Sequence, residues 1–191
     1  MLLLIITVTG PSGVGKGYLV SGLRQLHPQI QEATWMTTRP LRPGEEGRSN
    51  RCNVTPERFR ELKNTGQIIL VQKLFRHMYG LTVDEDGYRR GVWITELHTE
   101  NLTRAATMTL PIYSIALVPD SIDFLKYRLH ERSTETDDQI QDRLQAAEQE
   151  VQWILRNKDI FMQIFTVSRT SEATIVSNVS QTLKNTLKEL R

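Results

Sequence analysis

The chain has 191 residues, of which 39% are hydrophobic and 24% are charged, so it is long and apolar enough to form a core of its own. Its formal net charge of +2 is too small to indicate a nucleic acid or a membrane as a partner, and we expect neither. The single cysteine, Cys52, excludes an internal disulfide and a paired-cysteine metal site. We expect one domain in a reducing, cytoplasmic compartment, and the composition leaves open whether the chain is a monomer or a homodimer.

The first half of the chain begins with a strand and a helix joined by a glycine-rich turn. Residues 2–8 form a continuous apolar run, which is typical of a central parallel strand. Leu19, Leu23 and Leu26 then recur at helical spacing, and Pro28 ends that helix. The next predicted segments are a polar loop rich in Pro, Gly and Arg at 39–53, a helix at 56–64, and strands at 67–73 and 92–97.

The second half continues the alternation of strands and helices. An apolar strand is predicted at 112–118 and a helix at 121–131. Thr136, with Gln139 three residues later, predicts a capping box that opens a further helix. A strand at 160–167 and a helix at 172–190 follow. This order predicts an α/β fold in which helices cover both faces of a central parallel sheet.

The turn after the first strand has the pattern of a phosphate-binding loop. Gly-Pro-Ser-Gly-Val-Gly-Lys at residues 10–16 matches G-x-x-x-x-G-K and lies between a predicted strand and a predicted helix. In such a loop the backbone N–H groups converge on a polyphosphate, and the lysine reaches its outer phosphates. The residues predicted to bind ATP are Gly10, Pro11, Ser12, Gly13, Val14, Gly15, Lys16 and Gly17.

Gly17 departs from the usual form of this loop. A Ser or Thr at this position would place its hydroxyl on the magnesium ion that bridges the terminal phosphates. Because Mg²⁺ commonly keeps several of its waters, we expect it to bind mainly through the ATP phosphates and water, with no metal site made of protein side chains.

Four motifs in order resemble the guanylate kinase family. They are the loop at 10–16, T-T-R-P-L-R-P-G-E at 37–45, M-Y-G at 78–80, and R-L-H-E-R with T-E-T and R-L between 128 and 144. The resemblance covers residues 3–155. It implies a three-layer P-loop kinase fold with a core, an acceptor-binding subdomain and a helical lid, in a protein that transfers the terminal phosphate of ATP to GMP. The implied core is 1–34, 92–120 and 156–191, the acceptor-binding region is 35–91, and the lid is 121–155.

Arginines at the matching positions suit this chemistry. Guanidinium groups stay charged and bind phosphate oxygens in a bidentate manner, as transfer between two polyanions requires. Arg39 and Arg42, three residues apart, are predicted to bind the acceptor phosphate. Arg128 and Arg132 share a helix face and, with Arg143 and Lys16, are the predicted catalytic groups.

The resemblance extends to three further acceptor-site residues. It implies that Tyr79 donates a hydrogen bond to the acceptor phosphate, that Thr82 supplies a hydroxyl, and that Glu96 is a strand-end carboxylate that orders magnesium-bound water and the acceptor.

The positions that read guanine in the family differ here. Leu70 stands where the family has a glutamate, Leu81 where it has Ser or Thr, and His98 where it has an aspartate, while Arg51 replaces a phosphate-binding tyrosine. Because a site without these polar groups loses guanine selectivity, the phosphate-binding residues are retained but the base-reading residues are largely missing.

Three functions therefore remain open from sequence. The first is a guanylate kinase-type enzyme that acts on GMP or a related monophosphate. The second is a sugar-phosphate kinase resembling ribose 1,5-bisphosphate phosphokinase, which needs no base reader. The third is a non-catalytic binding module, although such a module has no need of Lys16 and the lid arginines.

Overall fold

The computed structural model describes residues 3–41, 51–74, 76–82, 91–107, 111–131 and 136–189. These parts of the chain form two sheets. The larger is a five-stranded parallel sheet with the strand order β2-β7-β1-β8-β9. Its strands are β1 (Leu3–Thr9), β2 (Ile30–Glu32), β7 (Gly91–Glu96), β8 (Ile112–Pro119) and β9 (Gln163–Val167).

The central strand, β1, is buried on both faces. Ile5 and Ile6, whose side chains point to opposite faces, are 5% and 0% exposed, and Ile6 lies between Ile94 of β7 and Tyr113 of β8. A strand covered on both sides requires apolar residues at successive positions rather than at alternate ones. The continuous apolar run near the N-terminus therefore explains why β1 takes the middle of the sheet.

Helices pack on both faces of this sheet. Along β8, Ile115 and Leu117 join one apolar cluster, whereas Ala116 and Val118 join another, as expected for side chains that alternate between faces. The first cluster also contains residues of α1, α4, α5 and α6, and the second contains residues of α3 and the end of α5. These helices are α1 (Lys16–Leu26), α3 (Thr99–Thr107), α4 (Ile122–Glu131), α5 (Asp137–Arg156) and α6 (Glu172–Glu189).

The smaller sheet has four strands in the order β4-β3-β6-β5. β3 pairs parallel with β4 and antiparallel with β6, and β5 and β6 are antiparallel. Phe59 and Leu62 of a further helix, α2, pack with Ile68 against this sheet. The elements are β3 (Trp35–Thr37), β4 (Arg51–Asn53), α2 (Pro56–Asn64), β5 (Ile68–Leu74) and β6 (His77–Thr82).

A bulge interrupts the pairing of β5 with β6. The register shifts between Ile69 and Gln72, and Leu70 has a φ of +50°. This left-handed conformation costs about 1–2 kcal/mol for a residue that carries a Cβ. The carbonyl oxygen of Leu70 accepts a hydrogen bond of 2.9 Å from Asn101 Nδ2, so the bulge is tied to α3.

The structure confirms the predicted α/β fold with its central parallel sheet. The capping box is also confirmed: Thr136 Oγ1 accepts from the backbone N–H of Gln139 at 3.4 Å, and Gln139 Oε1 accepts from that of Thr136 at 3.0 Å. The helix predicted at 56–64 has those bounds.

Two predictions are wrong in part. The segment 39–53 does not remain a loop to its end, because Arg51–Asn53 pairs with β3 as β4, and residues 42–50 lie outside the described ranges. The strand expected from residue 160 starts only at Gln163, since Lys158–Ile160 forms a 3₁₀ turn. Within the described ranges, no helix combines the length and the apolar character needed to cross a bilayer.

Candidate active site

The glycine-rich loop joins the end of β1 to the start of α1. Gly10 and Gly15 have φ values of +148° and +106°, which residues with a Cβ rarely adopt. An ideal Cβ on Gly10 would lie only 2.3 Å from the carbonyl oxygen of Leu117 in β8. Glycine is therefore required where the loop passes β8, and the positive end of the α1 dipole is directed at the loop.

Two cationic side chains contact this loop. Lys16 is the first residue of α1, and its Nζ donates hydrogen bonds to the carbonyl oxygens of Gly10 at 2.6 Å and Pro11 at 3.1 Å. Arg143 of α5 donates from Nη1 to Ser12 Oγ at 2.9 Å. Positive charge is thus concentrated at the loop from two separate helices.

A carboxylate lies beside Gly17. Glu96 is the last residue of β7, where it pairs with Val8 of β1, so the end of β7 lies next to the start of the loop. An ideal Cβ on Gly17 would be 3.4 Å from Glu96 Oε1. The carboxylate therefore occupies the space next to the position where the common loop pattern has a hydroxyl.

Three of the predicted acceptor-binding residues, Arg39, Tyr79 and Thr82, lie in the smaller sheet or just after one of its strands. Arg39 follows β3; its backbone N–H donates to Thr37 Oγ1 at 3.0 Å, and its carbonyl oxygen accepts from Asn53 Nδ2 at 2.7 Å. Tyr79 of β6 is directly opposite Thr37, so both side chains project to the same face of the sheet.

The glycine-rich loop and the smaller sheet border one cleft of about 330 Å³. It is bordered by the loop, by the ends of β2 and β7, by the smaller sheet and by one face of α5. The residues that line it are Gly10, Ser12, Lys16, Glu32, Ala33, Trp35, Arg39, Arg51, Gln72, Tyr79, Thr95, Glu96, Leu97, His98, Arg143, Ala146, Ala147 and Glu150.

Not every predicted site residue lines this cleft. Seven of them do: Gly10, Ser12, Lys16, Arg39, Tyr79, Glu96 and Arg143. Arg128 lies half-buried in α4 and is absent from the described lining, as are Pro11, Gly13, Val14, Gly15, Gly17 and Thr82. The hydroxyl of Thr82 donates to the carbonyl oxygen of Thr34 at 2.8 Å. Arg42 and Arg132 lie outside the described residues.

Sequence reasoning missed much of the cleft wall, including Trp35, Gln72 and Glu150. Trp35 of β3 and Gln72 of β5 carry no motif, and their positions depend on how the smaller sheet is paired. Glu150 could have been found, because it lies seven positions after Arg143 and therefore on the same helix face, about 10 Å further along α5. Its Oε1 is buried without a hydrogen-bond partner in the described part of the chain.

The cleft can hold phosphate groups better than it can hold a metal ion by itself. Among the described residues, no group of three or more His, Cys, Asp or Glu side chains is placed to bind a metal. Lys16, Arg39, Arg51 and Arg143 all border the same space, and such groups bind anionic oxygens. The arrangement suits a polyanionic ligand that could bring a cation with it.

Comparisons with known proteins identify the family. The family model for guanylate kinase matches residues 3–174. Guanylate kinase of Synechococcus sp. (strain JA-3-3Ab) is 32% identical over 151 residues, which cover 77% of this chain and 69% of that protein. Guanylate kinase of Wolbachia pipientis wMel is 27% identical over 179 residues, with 86% and 87% of the two chains covered.

Solved structures share the fold. A guanylate kinase from Anaplasma phagocytophilum superposes with a TM-score of 0.66 at 18% identity, over 98% of this chain and 86% of that one. Shikimate kinase from Acinetobacter baumannii, in complex with shikimate, gives a TM-score of 0.51 at 11% identity, over 97% and 95%. Neither a sugar-phosphate kinase nor a non-catalytic module is favoured by the family and sequence matches. Since the family model spans most of the sequence, the chain belongs to the guanylate kinase family and is an ATP-dependent phosphotransferase that acts on GMP or a related monophosphate.

Proposed function

We propose that the cleft binds ATP at the glycine-rich loop and GMP against the smaller sheet, and that the γ-phosphate passes directly between them. The observation that carries this proposal is the position of Lys16, Arg39, Tyr79, Glu96 and Arg143, which come from five segments of the chain and line one cleft. Direct transfer requires both phosphates to share one space closed to competing water.

On the donor side, Lys16 and Arg143 act on the transferring group. An oxygen of the acceptor phosphate attacks the γ-phosphorus, the bond from that phosphorus to the bridging oxygen breaks, and ADP leaves with the electron pair. The acceptor oxygen is already anionic, so no general base is needed. Lys16 and Arg143 stabilise the negative charge on the γ-phosphate and the bridging oxygen, which is the main source of catalysis in such reactions.

On the acceptor side, Arg39 and Tyr79 bind and orient the monophosphate. Their backbones are fixed by β3 and β6, and the Asn53 amide holds the carbonyl oxygen of Arg39. Arg51, at the edge of the same sheet, lines the cleft and adds a second guanidinium. Arg42 belongs to this group in our proposal, whereas the hydroxyl of Thr82 donates to the carbonyl oxygen of Thr34 and so supports the wall from behind.

The residues present fit one magnesium ion held mainly by phosphates. Mg²⁺ favours one or two carboxylates together with substrate phosphates and water. Glu96 supplies such a carboxylate beside Gly17, in the space next to the position where other loops of this type carry a hydroxyl. When bound, the ion would neutralise charge on the β- and γ-phosphates. We assign Glu96 the role of holding it, directly or through a bound water.

We also propose that the chain works as a core with two attached regions. Residues 35–91 would form the acceptor-binding region, and residues 121–155 the lid. Arg143 of the lid region already contacts Ser12 of the loop. In this proposal, Arg128 and Arg132 approach the γ-phosphate when the lid region moves over the bound nucleotides.

The substitution Lys16→Ala tests the donor side. It removes the ammonium that contacts the loop, and we expect ATP turnover with GMP and Mg²⁺ to fall at least tenfold with little change in Tm. ADP formation and a thermal melt are the measurements.

Lys188→Ala, an exposed lysine in the last turn of α6, is the matched control and should leave both values unchanged. A Lys16→Ala protein as active as the parent would remove the basis for the loop assignment.

A further inference from the structure

The polar groups expected to read a guanine base are either replaced or already hydrogen-bonded within the protein. Leu81 is 2% exposed and apolar, and Leu70 packs into apolar clusters. The Thr82 hydroxyl donates to the carbonyl oxygen of Thr34. Thr95 Oγ1 accepts the indole N–H of Trp35 at 2.7 Å and donates to the Glu96 carbonyl oxygen at 3.3 Å.

Trp35 occupies the wall where the acceptor base would lie. It is half-buried, packs against the apolar clusters that include Ala33, Leu70 and Leu97, and lines the cleft with its remaining surface. The bond from its N–H to Thr95 fixes the ring and leaves only the aromatic surface to contact a ligand. Trp35 is therefore placed as an aromatic platform: it can contact a base through the face of its ring, but its N–H is not free to donate a hydrogen bond to that base.

The sheet register places this platform next to the phosphate-binding groups. Trp35 pairs with Leu81 across β6 and with Arg51 across β4, and Thr37, two residues further along β3, pairs with Tyr79. Two residues along a strand span about 6.6 Å, and residues directly opposite each other project to the same face. A monophosphate held by Arg39 and Tyr79, as in the proposed function, would therefore extend its sugar and base along the strand towards the indole.

We propose that Trp35 holds the base of the acceptor by stacking and apolar contact, so that this enzyme accepts purine monophosphates with little discrimination between their bases. The inference rests on the proposed function. Stacking tolerates any base because every base has a π-face. Sites that read a substrate by hydrogen bonds reject the wrong analogue by about 10⁴–10⁵-fold, whereas apolar pockets discriminate only about 10–200-fold.

Of the other polar groups of the wall, Glu32 and Gln72 are hydrogen-bonded within the protein, His98 Nδ1 lies 3.5 Å from Thr99 Oγ1, and Glu150 lies on α5. Glu32 Oε2 accepts from Arg24 Nη1 at 2.7 Å, and Gln72 Oε1 accepts from Asn101 Nδ2 at 2.9 Å. Glu150 is the strongest rival, because its buried Oε1 has no hydrogen-bond partner among the described residues. It lies on α5, away from the strand that carries Trp35, and a site that used it to read guanine would discriminate strongly.

The primary test compares acceptors with the parent protein. The values of kcat/KM for GMP, IMP and AMP are measured at saturating ATP and Mg²⁺. We expect GMP and AMP to differ by less than about 100-fold, within the apolar range. A GMP preference above that value would overturn the inference and point to a carboxylate reader such as Glu150. Absence of transfer to any nucleoside monophosphate would instead overturn the proposed function.

Variants of Trp35 test the platform itself. Trp35→Leu should raise KM for all three monophosphates at least tenfold while leaving KM for ATP within about twofold, and Trp35→Phe should restore KM to within about threefold of the parent. Trp153, which packs edge-to-face on Phe161 and is not part of the described cleft lining, provides the control variant Trp153→Phe. If Trp35→Leu leaves the acceptor KM unchanged, or changes it for GMP alone, Trp35 is not the platform.

Discussion

At the scale of single residues, our proposal assigns the cation to Glu96, whose carboxylate lies beside Gly17. A Cβ at position 17 would lie 3.4 Å from Glu96 Oε1, which is an ordinary van der Waals distance. The carboxylate is therefore close to the place where other loops of this type carry a hydroxyl. A carboxylate carries a full charge, so it is a stronger partner for Mg²⁺ or its waters than a neutral hydroxyl.

The substitution Glu96→Gln keeps the size of this side chain and removes its charge. We expect kcat to fall about tenfold or more, equivalent to about 1.4 kcal/mol in the barrier, and the Mg²⁺ concentration for half-maximal rate to rise. Turnover as a function of Mg²⁺, together with Mn²⁺ binding to the protein with an ATP analogue, measures both effects.

Glu100→Gln, an exposed glutamate in the first turn of α3, serves as its control. Unchanged Mg²⁺ dependence and unchanged Mn²⁺ binding in Glu96→Gln would refute the assignment of Glu96 to the cation.

At the scale of elements, the packing of α1 on α6 fixes the helix that carries Lys16. Gly22 of α1 faces Val176 of α6, and an ideal Cβ on Gly22 would be 2.6 and 2.7 Å from the two methyl carbons of Val176. Val179 and Leu183 continue this contact on α6 with no exposed surface. α1 and α6 can approach each other this closely only because Gly22 has no side chain.

Gly22→Ala should therefore destabilise the protein although alanine is the better helix former. The gain in helix propensity is about 1 kcal/mol, but overpacking against a stiff β-branched side chain costs about 1–3 kcal/mol. We expect a net loss of up to about 2 kcal/mol in the free energy of unfolding, measured by urea denaturation.

The neighbouring exposed residue provides the comparison, because Ser21→Ala makes a small change on the solvent side of the same turn. A Gly22→Ala protein more stable than Ser21→Ala would show that the two helices are not in close contact.

The elements also show what periodicity can predict. β1 and β8 are continuous apolar runs and were predictable, as was α5 from its capping box. β2, β3 and β4 have three residues each, too few to show a period, and they exist because neighbouring strands pair with them. α3 was missed because its nine residues, TENLTRAAT, are too few to show a clear helical period, and the helix is held by burial of Leu102 and Ala105.

At the scale of the whole molecule, the cleft is a product of topology. β7 lies between β2 and β1, so Glu32, Glu96 and Gly10 lie together at the carboxyl ends of three neighbouring strands. The smaller sheet and α5 close the other sides. The place of Lys16 and Arg143 in this cleft could be predicted from motifs.

Other parts of the wall could not be predicted in this way. Trp35 and Gln72 are ordinary residue types, and their place in the cleft depends on contacts between distant segments. Leu70 illustrates the limit: its replacement of a glutamate is visible in the sequence, but its left-handed conformation and its tie to Asn101 are visible only in the structure.

The central claim is that one cleft holds both nucleotides and passes the γ-phosphate directly between them. The most direct measurement incubates the protein with ATP labelled on its γ-phosphate, Mg²⁺ and GMP, and then separates the products. The account predicts that the label appears in GDP, in equal amount to the ADP formed, and that Lys16→Ala lowers both together. Label found only in inorganic phosphate, or remaining in ATP, would contradict it.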